Sequence, residues 1–136
     1  MKDLEKAKKI LKRKNLKLAI VKNKRLIFSS KKPGLKGLIL SKEELGEKLQ
    51  ESTVGDKIVG RAASLLCVNF GVREVYGNLM SKKAIKTLQN YNLKYKFEKK
   101  IESIKSEKGE SCTYEKILKE DEDPSETYRK LKKKIL

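Results

Sequence analysis

The spacing of apolar residues changes several times along this chain, and each change marks an element. Leu4, Ala7, Ile10 and Leu11 recur at helical intervals, which predicts an amphipathic helix over residues 3–14, ending near Asn15. Residues 16–21 and 25–29 are short β-rich runs. Asn23, a residue that tolerates left-handed backbone, lies between them, so a hairpin is expected with its turn at Lys22-Asn23-Lys24. Pro33-Gly34 breaks the chain. Helix resumes from Leu35, with Ser41-Lys42-Glu43-Glu44 as a capping box that can restart it. Ile58, Val59, Ala62, Ala63, Leu65, Leu66 and Cys67 leave almost no polar face. Residues 56–70 therefore read as a helix buried against a sheet, with Asp56 as its N-cap.

Further on, residues 72–79 read as a strand. Ser81 caps a helix over 82–90, and 93–97 alternates apolar residues with Lys as a strand does. Residues 98–110 form a charged connection, and 112–118 a short helix. Asp123-Pro124 opens the last helix with an acidic cap and Pro at its first position. The expected order is α-β-β-α-α-β-α-β-α-α. A hairpin followed by βα crossovers implies an α/β fold in three layers, a mixed sheet covered by helices. One domain over residues 1–136 is expected, with 1–14 as an N-terminal helical extension.

The stretch Gly55-Asp56-Lys57-Ile58-Val59-Gly60-Arg61-Ala62-Ala63 is the candidate site. Read as a helix start, it breaks local rules. Lys57 puts a cation near the positive end of the helix dipole. Gly60 inside a helix costs about 1 kcal/mol against Ala. Such conflicts point to a ligand or a close backbone contact. The nearest phosphate-loop pattern fails, because Arg61-Ala62 stands where that loop needs Lys and a hydroxyl for Mg²⁺.

Composition narrows the chemistry. The formal charge is +17, apolar residues make up 38% and aromatics 6%. Such a charge can bind RNA through its phosphates, but the basic residues are nearly all Lys and no aromatic-studded basic motif stands out. No His is present, which removes the commonest metal ligand and general base. Two cysteines, Cys67 and Cys112, cannot build a four-ligand zinc site alone. Cys67, within Leu65-Leu66-Cys67-Val68, reads as core. Cys112 in the first turn of a short helix is the candidate nucleophile, since the helix dipole favours its thiolate, with Glu115 one turn on as acid or base. No run of apolar residues reaches membrane-spanning length and the first residues hold no apolar signal segment, so a cytoplasmic protein is expected.

This element order, together with Gly55–Ala63, Val72-Arg73-Glu74-Val75-Tyr76-Gly77, Gly109–Lys116 and Asp121–Pro124, resembles a small prokaryotic family of unknown function. The resemblance runs from about Leu16 to the C-terminus and implies a cytidine-deaminase-like fold. Zinc deaminases carry H-x-E and P-C-x-x-C elements. Here Asp56-Lys57-Ile58 and Met80-Ser81-Lys82-Lys83-Ala84 fall at those places. The expectation is a zinc-less protein of that fold with no cofactor. It would bind a small anionic or nucleotide-like ligand through Lys57, Gly60, Arg61 and Ser81, with Asp56, Cys112 and Glu115 as catalytic candidates. The alternatives are a non-enzymatic RNA-binding protein and a scaffold subunit. Self-association is left open.

Overall fold

The computed structural model describes residues 1–104 and 113–136. The expected hairpin forms from β1 (Leu18–Lys22) and β2 (Arg25–Ser30), paired antiparallel with Lys22 opposite Arg25. The loop is therefore the two residues Asn23 and Lys24. Both hold left-handed backbone, φ 49° and 66°, the conformation whose twist matches that of the strands it joins. Helix α1 (Asp3–Arg13) precedes the hairpin. Helix α2 (Lys36–Leu45) follows it.

Two expectations in the next stretch are corrected. No helix restarts at Ser41. Its buried hydroxyl donates back to the Leu38 carbonyl at 2.7 Å, so α2 runs straight through the Ser41-Lys42-Glu43-Glu44 box. The larger correction concerns residues 56–70. Thr53–Val59 is strand β3, and helix α3 begins only at Arg61 and runs to Asn69. Asp56 caps no helix. It sits mid-strand, opposite Leu18 on one side and Gly77 on the other. A strand covered on both faces shows no alternation of apolar and polar positions, which is why Val54-Gly55-Asp56 carries no period-two signal.

Strand β4 (Glu74–Ser81) lies parallel to β3, and β5 (Lys94–Ile101) lies parallel to β4. The sheet order is β2-β1-β3-β4-β5, a mixed five-stranded sheet. Helix α4 (Lys82–Asn90) starts as expected, with the Ser81 hydroxyl accepting from the Ala84 N–H at 3.1 Å. Helix α5 (Thr113–Lys116) is short. In α6 (Pro124–Ile135) the Asp123 carboxylate accepts from the Ser125 N–H at 2.9 Å, and Pro124 opens the first turn.

The strands distribute their side chains to two cores. Leu18, Ile20, Val54, Val75 and Met80 face the helices that carry Leu38, Leu66, Leu88 and Leu131. Ala19 and Tyr76 face the opposite way and pack with Leu11 and Leu16 beneath α1. The result is three layers, with α1 the one helix on its face among the described residues. That helix rides directly on β3: a Cβ at Gly55 would lie 3.1 Å from the Ala7 methyl. No helix among the described residues is long and apolar enough to cross a membrane.

Candidate functional site

All three parallel strands deliver their carboxyl ends to one side of the sheet. In open α/β sheets that edge is where ligands bind. There β3 passes into Gly60 and α3, β4 into Ser81 and α4, and β5 into Ile104, while α5 lies across the three exits. Two adjoining cavities open here. The first, about 240 Å³, is walled mainly by apolar groups, including Leu35, Ile58, Ala62, Ala63, Ile104 and Tyr114. Its polar lining comes from Lys17, Asp56, Lys57 and Glu115. The second, about 150 Å³, is lined by residues with charged or hydroxyl side chains, among them Arg61, Ser81, Lys83, Glu102 and Lys116. Ile104 and Glu115 belong to both and form the wall between them.

Six of the seven predicted site residues therefore meet at one place. Asp56, Lys57, Gly60 and Glu115 line the first cavity; Arg61, Ser81 and Glu115 line the second, and the count includes Glu115 once. Cys112 lies outside the described residues. Cys67 is buried on α3, and burial, followed by the nearby Asp56 charge, pushes its thiol far above the ordinary value, so it packs and does not react.

Asp56 is the chemically unusual member. Its side chain is only 8% exposed, and none of the ion pairs among the described residues includes it. The Ile58 N–H donates to Oδ1 at a long 3.4 Å. Burial pushes its carboxyl up from 3.8 to about 7, against the partial pull of the Ile58 and Lys57 backbone N–H groups. Near neutral pH both its forms are populated. It can donate as an acid or accept as a carboxylate, which is what a general acid or base requires.

Glu115 has a different task. The Ala62 N–H donates to both its oxygens, at 3.1 and 3.3 Å, so a carboxylate from another segment caps α3. Burial raises its pKa, while the Ala62 N–H and the Arg61 charge oppose that rise. This cap explains Gly60, which stands at the N-cap position without a side chain to offer. A Cβ there would lie 2.1 Å from Glu115 Oε1 and 2.3 Å from Ile104 Cδ1. The backbone of Gly60 is extended, at φ −105° and ψ −173°, so glycine is required by space and not by conformation. Arg61 locks the same segment from outside: its guanidinium donates to the carbonyls of Lys119 and of Glu120, the latter at 2.7 Å. Sequence reasoning missed Lys17, Ile104, Tyr114, Lys83 and Lys116. Of these, Ile104 left a trace, as an isolated apolar residue in a charged stretch.

Solved structures show the fold. Two forms of the Acinetobacter baumannii protein RibD align over 71% and 69% of this chain and 34% and 33% of theirs, with TM-scores of 0.53 and 0.51 and identities of 17% and 18%. A Thermotoga maritima diaminohydroxyphosphoribosylaminopyrimidine deaminase/5-amino-6-(5-phosphoribosylamino)uracil reductase aligns over 71% of this chain and 35% of its own, at TM-score 0.51 and 15% identity. The chain thus spans about a third of each, and its fold is cytidine-deaminase-like.

The helix starts of that fold can be compared with what zinc would need. With α3 beginning at Arg61, the residues at its start are Gly60-Arg61-Ala62, in place of the expected Asp56-Lys57-Ile58. Those at the start of α4 are Ser81-Lys82-Lys83-Ala84. Neither set offers thiolate or imidazole, and both bring cations, so these donors do not fit zinc. Among the described residues no three His, Cys, Asp or Glu side chains are grouped to hold a metal ion.

No curated protein matches the chain. A DUF1893-family protein of Thermotoga maritima, TM1506, does match among the solved structures. It is 31% identical over 97% of this chain and 89% of its own, with a TM-score of 0.86. The family model described as "TM1506: Domain of unknown function (DUF1893)" matches residues 6–135. With nearly its whole length matched in sequence and in fold, the chain belongs to the DUF1893 family.

Proposed function

We propose that this protein binds a small nucleotide-like ligand without zinc, the ring in the first cavity and the anionic group in the second. The observation that carries this reading is the buried Asp56 carboxyl on the wall of a mainly apolar cavity. A buried carboxyl held by only a long backbone hydrogen bond and no ion pair costs stability, and such groups mark sites. An engineered cavity of about 150 Å³ takes benzene, so one of 240 Å³ has room for a larger heterocycle. Ile58, Ala62, Ala63 and Tyr114 would cover its faces while Asp56 bonds its polar edge. Neutral Asp56 would donate to a ring nitrogen; ionised, it would accept from a ring N–H and could move that proton.

The second cavity supplies charge. The first turn of α4 holds Lys82 and Lys83 and no acid, an arrangement its dipole disfavours unless an anion sits nearby. Lys82 is paired with Glu102 at 2.7 Å, which leaves Lys83, with Lys116, to face the cavity. Glu115 on the dividing wall and Glu102 in the second cavity are the other carboxyls within reach of a ligand spanning both. Proton transfer is assigned to Asp56; the Cys112 chemistry expected from sequence rests on a residue outside the described part of the chain.

Calorimetric titration with nucleobases, nucleosides and nucleoside monophosphates tests this. A monophosphate is expected to bind about ten-fold more tightly than its nucleoside, as one charge-assisted contact warrants. Lys83→Ala with Lys116→Ala should remove that difference, and Asp56→Asn should weaken every ring-bearing ligand. Binding of inorganic phosphate with no gain from any ring would overturn the reading.

A further inference from the structure

We propose that the outer edge of β5, which pairs with no further strand among the described residues, docks single-stranded RNA. This surface is separate from the two cavities, and the proposal does not depend on what fills them. Strand β5 closes one side of the sheet, and six of its eight residues are exposed. An open edge presents unpaired backbone groups, and the residue types along it decide what it accepts. Four lysines stand along this one: Lys99 on the face that carries Tyr95 and Phe97, and Lys94, Lys96 and Lys100 on the face toward α1, where Lys96 pairs with Glu5 at 3.8 Å. Among the described residues no acid pairs with Lys94, Lys99 or Lys100. The strand's own Glu98 is drawn inward by Lys8 at 2.6 Å and by the Tyr76 hydroxyl, which donates at 3.0 Å.

Charge alone would be a solvated surface. The second feature is a pair of rings. Tyr95 and Phe97, two residues apart and so on one face of the strand, lie parallel with centroids 6.3 Å apart and planes 6° from coplanar. The Gln89 amide donates to the Tyr95 hydroxyl at 2.9 Å and holds that ring in place. Phe97 is 36% exposed, and Tyr91, at the end of α4, is 45% exposed. Lysines that track a phosphate backbone beside aromatic faces on which bases stack are how single strands are held. Duplex RNA buries its base faces and would leave Phe97 unused.

A second copy of this chain is the competing occupant of an open edge, and charge argues against it. Pairing two β5 edges would bring two sets of four lysines together with only one Glu98 from each strand. A polyanion has the complementary charge.

Fluorescence anisotropy on the full chain tests the proposal, with a labelled single-stranded RNA of about 12 nucleotides, within the usual span of such sites. The single strand should bind more tightly than the same RNA annealed to its complement. Phe97→Ala should weaken binding by about ten-fold with the salt dependence unchanged, and Phe97→Tyr should restore it. Lys99→Ala with Lys100→Ala should lower the slope of log affinity against log salt by about 0.7 for each phosphate no longer neutralised. Equal binding of the duplex, equal competition by base-free polyphosphate, or no effect of Phe97→Ala would each overturn it.

Discussion

Stability is expected to fall as pH rises from about 4 to about 8, by up to about 4 kcal/mol, because Asp56 holds its proton more tightly in the native state than in the unfolded chain. The sign follows from the direction of the shift. The carboxyl rises from 3.8 to about 7 on folding, so between those values the native state binds a proton that the unfolded state has lost. Each step up in pH then favours unfolding, until the native group also ionises near 7. Glu115 is raised as well, first by burial, and acts in the same sense. Carboxylates held low by their partners, such as Glu98 with Lys8 and Glu43 with Lys132, act oppositely. Their stabilisation is complete above the unfolded carboxylate range and fades only in stronger acid. With no His in the chain, little else titrates in the window. Urea unfolding across this range should show the decline in the parent protein. Asp56→Asn, which keeps an acceptor for the Ile58 N–H but cannot ionise, should flatten it and be the more stable protein at pH 8. A parent whose stability stays level or climbs through this window would show that Asp56 is not buried as described.

Gly60→Ala is expected to destabilise the protein by about 2–3 kcal/mol, a large effect for one methyl group. The added Cβ would occupy the space of Glu115 Oε1 and Ile104 Cδ1. Both are the ends of flexible side chains, so they would swing aside and the backbone would hold. Two effects follow. The α3 N-terminus is deprived of its carboxylate cap, and Glu115 either stays buried without the Ala62 N–H or leaves the wall between the cavities. Chemical denaturation measures the first. Hydrogen exchange of residues 113–120 measures the second, and should rise while the sheet stays protected. Glu115→Gln, which keeps the shape and an acceptor oxygen, should cost less than Gly60→Ala. If Gly60→Ala matches the parent in both measurements, Glu115 does not depend on that space.

Much of this architecture is legible in the residues, and what is not has a physical cause. The hairpin is readable because Asn23 announces a left-handed turn between two β-rich runs. The caps Ser81 and Asp123 are readable because a cap is a local interaction within three residues. Strand β3 is not. Buried on both faces, it has no alternation, and its Gly55-Asp56-Lys57 interrupts the β-branched residues that flank it. Taken as helix, the same stretch makes Lys57 and Gly60 look like faults. Lys57 is a strand residue, and Gly60 precedes the helix, where a long-range contact with Glu115 decides its identity. That contact spans more than fifty residues, and no local pattern encodes it. Asp56 and Glu115 nonetheless stand out in the sequence, Asp56 for a cap it does not form. Tyr95 and Phe97 read there only as strand residues; that their parallel rings sit on the last strand of the described sheet emerges from the sheet order.

The Asp56 carboxyl, desolvated at the wall of a mainly apolar cavity, can be observed directly. A ¹³C NMR titration of the Asp56 carboxyl carbon in the native protein should give a midpoint at about 7, and that midpoint should move when a nucleoside monophosphate is added. A midpoint at the ordinary carboxylate value of about 4, unmoved by any nucleotide, would contradict both the burial of Asp56 and its role in a site.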